Sequence, residues 1–475
     1  MNKLLKDTFL YSIGEICPKV ISFFLLPIYT KYLSPADYGT IAYTNTIMLF
    51  LFVLGSMSLN SFVLRYYFIW KEEQKRRKLI GSIVSMIILN NLVILLLAYL
   101  FLPSIIKSYD IQIPWDPYFK LAVIINFFDS FCTIPLVLYR VKQDALRFIS
   151  LNLGKTFLQV ILNLYFIVYL NLGLIGSYYA SLLTFIPFSL IYIFIIIKHA
   201  GFHFDPTVIK LGLQYSLPLL PGALSYLVLS SFDRIILERN VPISSIGIYN
   251  VAYTLALSLN LVIQSVYKAI EPEIFKRYGT DDFYSFVNRA KSIYFSFIYV
   301  FGLIICLYSQ EVFYYMTSPS FHVGYKLTPL LIVGVIMTGQ NVIYSSILSA
   351  EKKTKSMGMA TMIGASCSLI FSLTCIPIWG VKAAAISAAV SFTIVNLILF
   401  YKMTFPGKTM YKENICIVLI PVIAYSAFYF HPDISLTNIL TKTLIISLYI
   451  IFLLKIYGLS LDKILKFKEN KTFQL

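Results

Sequence analysis

The sequence predicts an all-α polytopic membrane protein of about 14 transmembrane helices: two six-helix lobes in parallel repeat, plus two C-terminal helices. Three observations carry this: the composition, the spacing of apolar runs, and a set of internal matches at one common offset. Of 475 residues, 58% are hydrophobic, 16% aromatic and only 13% charged, and the mean hydropathy is +0.78. Soluble domains average roughly 45–50% apolar and about 25% charged. The composition therefore excludes a soluble enzyme, a disordered chain and a nucleic-acid binder. A membrane-crossing helix needs about 20 apolar residues for a hydrocarbon core of about 30 Å. At that length 14 spans use ~280 residues, which the hydrophobic fraction matches.

Taken in order, the apolar runs fall at 8–30, 38–63, 79–102, 119–139, 149–170, 173–197, 211–233, 245–268, 290–308, 326–349, 357–377, 380–401, 414–430 and 436–456. The first resembles a signal peptide in having Lys3 and Lys6 before an apolar stretch. Glu15 and Lys19 interrupt that stretch, however, and no small-x-small cleavage site follows, so it reads as a retained span. Runs five and six nearly touch, as do eleven and twelve. Each pair reads as a helical hairpin, turning at Asn171-Leu172-Gly173 or at Ile378-Trp379-Gly380. Cys17, Cys132, Cys306, Cys367, Cys375 and Cys416 lie in or beside apolar runs without CxxC spacing. That pattern indicates neither a zinc site nor a disulfide framework. His199, His203, His322 and His431 sit in loops or at span edges, and no metal site is expected.

The formal net charge is +17, from 39 Lys+Arg against 22 Asp+Glu. In a soluble protein such an excess suggests an anionic partner; in a membrane protein it marks the cytoplasmic loops. With the N-terminus cytoplasmic, 29 of the 39 positive charges fall on the cytoplasmic side and 8 on the other, Lys442 among these 8. Lys19 and Lys155 stay within spans. The bias predicts cytoplasmic N- and C-termini and an even number of spans. The densest cluster, Lys71 to Lys78, reads as a topogenic loop. No GxxxxGK[ST], HExxH or GxSxG motif occurs, and no loop is long enough for an ATPase domain. A transporter is expected, not an enzyme.

The segments beginning near residues 10 and 214 can be overlaid. Tyr11-Ser12 matches Tyr215-Ser216, and Pro18 matches Pro218 and Pro221. Thr40-Ile41-Ala42-Tyr43-Thr44 matches Asn250-Val251-Ala252-Tyr253-Thr254, and Leu172-Gly173 matches Trp379-Gly380, all within a few residues of an offset of 207. Six spans per unit keep both copies in one orientation, which is a parallel repeat with the substrate path between the halves. The expected division is an N-lobe over 1–205, a C-lobe over 206–405, and two further helices with a cytoplasmic tail over 406–475.

Particular motifs sharpen this: Leu33-Ser34-Pro35-Ala36-Asp37-Tyr38-Gly39, then Phe232-Asp233-Arg234-Ile235-Ile236-Leu237 with Ile246-Gly247-Ile248-Tyr249-Asn250-Val251-Ala252-Tyr253, and Ile376-Pro377-Ile378-Trp379-Gly380-Val381. In these the chain resembles the polysaccharide flippases, and the O-antigen branch in particular, of the multidrug/oligosaccharidyl-lipid/polysaccharide exporter superfamily. Lys382 departs from that pattern, which usually has a small residue there. The resemblance implies a flippase of a bacterial inner membrane that moves an undecaprenyl-pyrophosphate-linked oligosaccharide from the cytoplasmic to the outer leaflet by alternating access. It implies no cofactor beyond a coupling H+ or Na+, and as partners the membrane lipids, a polysaccharide polymerase and chain-length proteins, with no nucleic acid. An organic-cation antiporter of the same superfamily is the alternative, and it requires acidic pockets where a diphosphate requires basic ones. A membrane polysaccharide polymerase or ligase is the alternative of another class, and the large outer loop such enzymes use is missing.

Ionisable groups inside spans are costly and so are site candidates. Lys19, Arg65, Lys155, Arg234 and Lys268 are candidates for the diphosphate, with Asn60 and Gln264 for sugar hydroxyls. Glu15, Asp129 and Asp233 are candidates for ion or proton coupling. Glu15 and Lys19 share a helix face at i,i+4, which also allows a mutually neutralised pair. Asp233 reads equally as an ion-pair partner, and Arg65 and Lys268 as snorkelling interfacial cations. Pro18, Pro218 and Pro221 each remove a backbone donor and are the hinge candidates. Gln159, Asn163, Asn260, Gln340 and Asn341 are further polar groups, whose commoner use is helix–helix hydrogen bonding.

Overall fold

The computed structural model describes residues 3–404, 411–430 and 433–458. The expected tail beyond 458, His431, and the side chains of residues 3–9, Ser12 and Glu15 lie outside the described residues. Every described element is a helix. Twelve helical stretches are long and apolar enough to cross a membrane, thirteen when Pro206–Ser231 and Asp233–Asn240, bent by 43°, count as one span. These coincide with the second to fourteenth apolar runs. The first run forms two helices, α1 (Lys3–Phe24) and α2 (Leu26–Tyr32). It stands apart from the others because Glu15 and Lys19 break its apolar stretch and Asp7 borders it. All six cysteines are free.

The chain forms two compact units, Met1–Gly247 and Ile248–Leu475. In the first, α3 (Pro35–Ser56) starts at a reciprocal cap: the Asp37 N–H donates to the Ser34 hydroxyl (3.2 Å) and the Ser34 N–H donates to the Asp37 carboxylate (2.8 Å). Ser34-Pro35-Ala36-Asp37 is thus a helix-start signal before anything else. Gly39 faces the Ile243 carbonyl and Gly247 faces the Pro35 carbonyl so closely that a Cβ on either glycine would strike backbone. Two chain segments cross here with nothing but hydrogen between them.

α3 ends at Met57 and Ser58, both left-handed with φ 46° and 56°, and α4 (Leu59–Ile69) continues the span. A break at that depth leaves carbonyls without helical partners, which the hydrocarbon cannot supply. The neighbouring α5 (Glu73–Ser108) repairs it: the Asn90 side-chain amide donates to the carbonyls of Leu54 (3.0 Å) and Gly55 (2.9 Å). Next come α6 (Lys120–Asp129) and α7 (Thr133–Val141), which form one span, then α8 (Ala145–Asn163) and α9 (Gly173–His199). The seventh span opens at Asp205, whose carboxylate accepts from the Thr207 N–H (2.9 Å) and hydroxyl (2.5 Å). Those bonds hold the Asp205 carboxyl below the usual range. The span is α10 (Pro206–Ser216), a tight turn over Leu217–Leu219, α11 (Leu220–Ser231) and α12 (Asp233–Asn240). Pro218 sits in that turn and Pro221 at the start of α11, whereas Pro18 lies inside an unbroken α1.

α13 (Ile243–Leu257) carries the chain from one unit into the other, and α14 (Leu259–Arg277) completes its span. The second unit continues with α15 (Phe283–Leu307), α16 (Ser309–Met316), α17 (Thr328–Ala350), α18 (Thr354–Trp379), α19 (Val381–Lys402), α20 (Tyr411–Phe430) and α21 (Leu436–Tyr457). The repeat is visible in element bounds. Ile243–Arg277 begins 208 residues after Pro35–Ile69 and both are 35 residues long, and Val381–Lys402 likewise begins 208 after Gly173–His199.

Polar side chains buried in the second unit are mostly matched. The Tyr294 hydroxyl donates to the Gly339 carbonyl (2.9 Å), the Gln340 amide to the Tyr299 hydroxyl (2.7 Å), and the Asn396 amide to the Met337 carbonyl (2.8 Å). Two ion pairs fasten the last two helices. Lys291 of α15 meets Glu413 of α20 at 3.0 Å, and Lys442 of α21 meets Glu311 of α16 at 2.6 Å. Lys442, expected among the outer-loop cations, instead lies in a helix with a fully buried side chain. Its charge is answered by Glu311 rather than by water.

Removing one partner of a buried pair leaves the other charge stranded, at a cost of about 3–5 kcal/mol. Lys442→Ala should therefore lower the thermal unfolding midpoint of the detergent-purified protein well below wild type. The double replacement Lys442→Met with Glu311→Leu should recover most of the loss. A single variant that melts like wild type would show that the pair is not fastening α21.

Candidate functional site

Two parallel helices of the first unit present polar stripes. Tyr11 of α1 packs edge-on against Phe148 of α8, with ring centroids 5.1 Å apart, and Gly14 lies against Phe148 and Ile149. Further on, α2 packs beside residues 164–169. The helices therefore run side by side in one direction, and Lys19 stands at about the level of Lys155. On α1 the polar residues Lys19 and Ser22 recur at helical spacing, and on α8 Asn152, Lys155, Gln159 and Asn163 do the same. Each set lies along one helix face. Few residues of α8 are buried, only Ala145 and Phe148, and Lys19 is exposed.

At the centre of this region Lys155 pairs with Asp129 of α6 at 2.6 Å. The side chains keep 21% and 33% exposure, so the pair is not sealed in the packing. The Lys155 ammonium also sits 3.9 Å from the centroid of the Phe185 ring, a cation–π contact that adds to its anchoring. The Cys132 thiol points at Asp129 from 3.7 Å. The buried hydroxyl of Tyr192 has no hydrogen-bond partner among the described residues. A buried polar group of that kind needs an explanation beyond packing. The Gln159 amide donates to the Ser181 hydroxyl (2.8 Å) on α9, holding the stripe in place.

The other candidates are distributed. Arg65 ends the second span exposed, with its guanidinium 5.4 Å from the Tyr215 ring centroid. The Asn60 side chain accepts from the Ser61 N–H at 3.0 Å. Arg234 is turned inward: at 5% side-chain exposure it meets Asp233 (3.2 Å) and donates to the Ser230 carbonyl (3.2 Å). In the second unit, Asn260, Gln264 and Lys268 follow one another at i,i+4 on α14 and are half-buried. One turn along the same helix, the Tyr267 hydroxyl bridges Glu271 (2.6 Å) and Ser346 (2.7 Å). The structure thus brings Asp129 and Lys155 together, and Asp233 and Arg234, and sets Lys19 level with Lys155. Arg65 lies instead against the Tyr215 ring of the seventh span. The Glu15 side chain lies outside the described residues.

Sequence reasoning picked Lys155, Gln159 and Asn163 singly and passed over Asn152 and Ser22. A count of polar residues at spacing three and four inside each apolar run finds both stripes. The Asp129–Lys155 pairing has no local sequence signal, since 26 positions separate its members.

Long apolar helices that carry charged and polar faces define a polytopic membrane protein. The family model described as "Polysaccharide biosynthesis protein" matches residues 4–277, and the chain belongs to that family. A protein of the Lsg locus of Haemophilus influenzae is 21% identical over 280 residues. The aligned part is 58% of this chain and 66% of that protein, just under two thirds of its length. Among solved structures, the lipid II flippase MurJ in an inward closed conformation superposes with a TM-score of 0.72 at 18% identity, covering 94% of this chain and 98% of that one. An inward-facing multidrug resistance transporter of the MATE family gives 0.62 at 13% identity, over 86% and 98%. Both likenesses establish a shared fold.

If Asp129 and Lys155 hold each other, their substitutions will not add. Asp129→Asn and Lys155→Met should each lower thermal stability, and the double variant should lose less than the sum, with a coupling of about 1–3 kcal/mol. Additive losses would mean that the two side chains act separately.

Proposed function

We propose that the protein is a flippase carrying an undecaprenyl-pyrophosphate-linked oligosaccharide from the cytoplasmic to the outer leaflet of a bacterial inner membrane. The observation that carries this reading is the sign of the exposed charges inside the spans among the described residues. Asp129 and Asp233 are each answered by a neighbouring cation, while Lys19 and Arg65 are exposed. A diphosphate needs such cations, and the polar stripes of α1 and α8 suit sugar hydroxyls. An organic cation would need the opposite balance, so the multidrug reading, favoured by the likeness to MATE transporters, ranks second.

In the proposed cycle access alternates between the two faces of the membrane while the lipid tail of the cargo stays in the bilayer. Lys19, Arg65 and Lys155 of the first unit hold phosphate oxygens, and Lys268 is the candidate cation of the second. Asn60 and Gln264 meet sugar hydroxyls. Arg234 serves the path through its hold on Asp233. Asp129, Asp233 and Glu15 are the carriers for a coupling H+ or Na+. The turn at Pro218 and Pro221, with Pro18 in α1, supplies bending points. Both termini face the cytoplasm on the charge bias, and a polymerase and chain-length proteins receive the product.

Deleting the gene should abolish surface polysaccharide and leave lipid-linked units on the cytoplasmic side; normal surface polysaccharide in the deletion strain overturns the assignment. A hydrogen bond to a charged group is worth about 1.5–3 kcal/mol. Lys19→Ala or Arg65→Ala should therefore slow export roughly ten- to hundred-fold at unchanged protein level. Full export by both variants removes these residues from the path.

A further inference from the structure

A second basic site lies at one end of the first unit, at the start of α8 ahead of its polar stripe. The ends of α7 and α9 and the start of α8 enclose a cavity of about 440 Å3, lined by Tyr139, Arg147, Phe194, Ile195, Lys198 and His199. We propose that this cavity binds the phosphate headgroup of an anionic phospholipid of the surrounding bilayer, with the start of its acyl chain against Phe194.

The lining divides into a polar and an apolar half. Phe194 is 64% exposed while its neighbours Tyr192, Ile195 and Ile196 are buried, so the ring faces out of the helix bundle. Lys198 follows Phe194 by one helical turn and is also exposed, which stacks a cation directly above an apolar ring on one outward face. Arg147 approaches from α8, its guanidinium 6.0 Å from the Tyr139 ring centroid and 3.1 Å from Asp144. Asp144 caps α8 by accepting from the Arg147 N–H (3.2 Å). His199 is oriented by its Nδ1 contact with the Ile195 carbonyl (2.9 Å) and by the edge of Tyr139, leaving Nε2 to another partner. Lys142, in the α7–α8 connection, is exposed. Partial burial and the charges of Arg147 and Arg77 pull its ammonium below the usual range, against the opposing pull of Glu73 and Asp144. Arg147, Lys198, Lys142 and Arg77 outnumber Asp144 and Glu73 around the cavity.

An inorganic phosphate would use Arg147 and Lys198 and leave Phe194 idle; a lipid uses both halves. Basic pockets between helix ends on the cytoplasmic side are suited to anionic headgroups. On the charge-derived orientation, the α7–α8 and α9–α10 connections lie on that side. The site is separate from the proposed cargo path and does not depend on the identity of the cargo.

Native mass spectrometry of the full-length detergent-solubilised protein, titrated with phosphatidylglycerol or phosphatidylcholine, tests this. Arg147→Gln with Lys198→Gln should weaken the tightest phosphatidylglycerol adduct roughly ten-fold and leave phosphatidylcholine binding unchanged. A charge-matched control, Lys75→Gln with Lys276→Gln, removes two exposed cations elsewhere and should change neither. Phe194→Ala should weaken the phosphatidylglycerol adduct without abolishing it. Equal losses in the pocket and control variants would reduce the effect to net charge and overturn the proposal. Displacement of the lipid by millimolar inorganic phosphate in wild type, with Phe194→Ala unaffected, would assign the cavity to free phosphate instead.

Discussion

A charge placed inside a helix that crosses hydrocarbon finds no water to answer it, and the packing of this protein is organised around that constraint. Pairs that meet it include Asp129 with Lys155, Asp233 with Arg234, Lys291 with Glu413, and Lys442 with Glu311. They differ in what they accomplish. The two pairs of the second unit are nearly sealed and tie α20 and α21 to α15 and α16 at two separate points. A sealed pair is weak evidence for net stability, because desolvation consumes most of the attraction, but it strongly penalises any register that separates its members. The pairs thereby decide where the last two helices dock, which apolar surface alone would leave loosely specified. Backbone obeys the same rule at Met57 and Ser58, where Asn90 supplies the donors that the broken helix needs.

Most of the fold was legible because hydrocarbon imposes length. Runs such as 173–197 and 380–401 are bounded by charges or by the glycines Gly173 and Gly380, and the helices end within a few residues of where those signals stand. Pairing is another matter. Lys442 sits among Thr, Leu and Ile with no acid within a turn, and its partner is 131 positions away. The sequence places it near a span end, where a snorkelling cation is the ordinary expectation, and only the fold reveals Glu311 beside it. The break at 57–58 was missed for a related reason. Gly55-Ser56-Met57-Ser58 is not a strong breaker, and the break is made stable by an asparagine on a different helix.

Legibility of the site follows the same division. That Asp129, Lys155 and Lys19 deserve attention is readable from their presence in apolar runs. That α1 and α8 lie side by side with their polar stripes at one level is a property of packing, carried by Tyr11, Gly14 and Phe148. Arg234 shows the limit of reasoning from charge alone. It is as cationic as Lys19, but its guanidinium is held by Asp233 and by the Ser230 carbonyl at 5% exposure. Cations of equal charge differ in use because their surroundings have already claimed some of them.

The partial exposure of the Asp129–Lys155 pair connects the constraint to the proposed transport. A pair closed off at 2.6 Å and fully buried would be a fixture, as Lys442 and Glu311 are. This one keeps a fifth to a third of each side chain open. On the proposed reading, an incoming diphosphate and the Asp129 carboxylate compete for one ammonium. Whichever wins leaves the other anion needing a proton or a metal cation, since an isolated carboxylate inside a span is costly. Substrate capture by Lys155 and cation uptake by Asp129 would then be two sides of one exchange, linked by a single hydrogen bond. Coupling of this kind needs no long-range pathway. It needs a cation shared between an internal and an external anion, and α6 and α8 place one at the level where α1 carries Lys19.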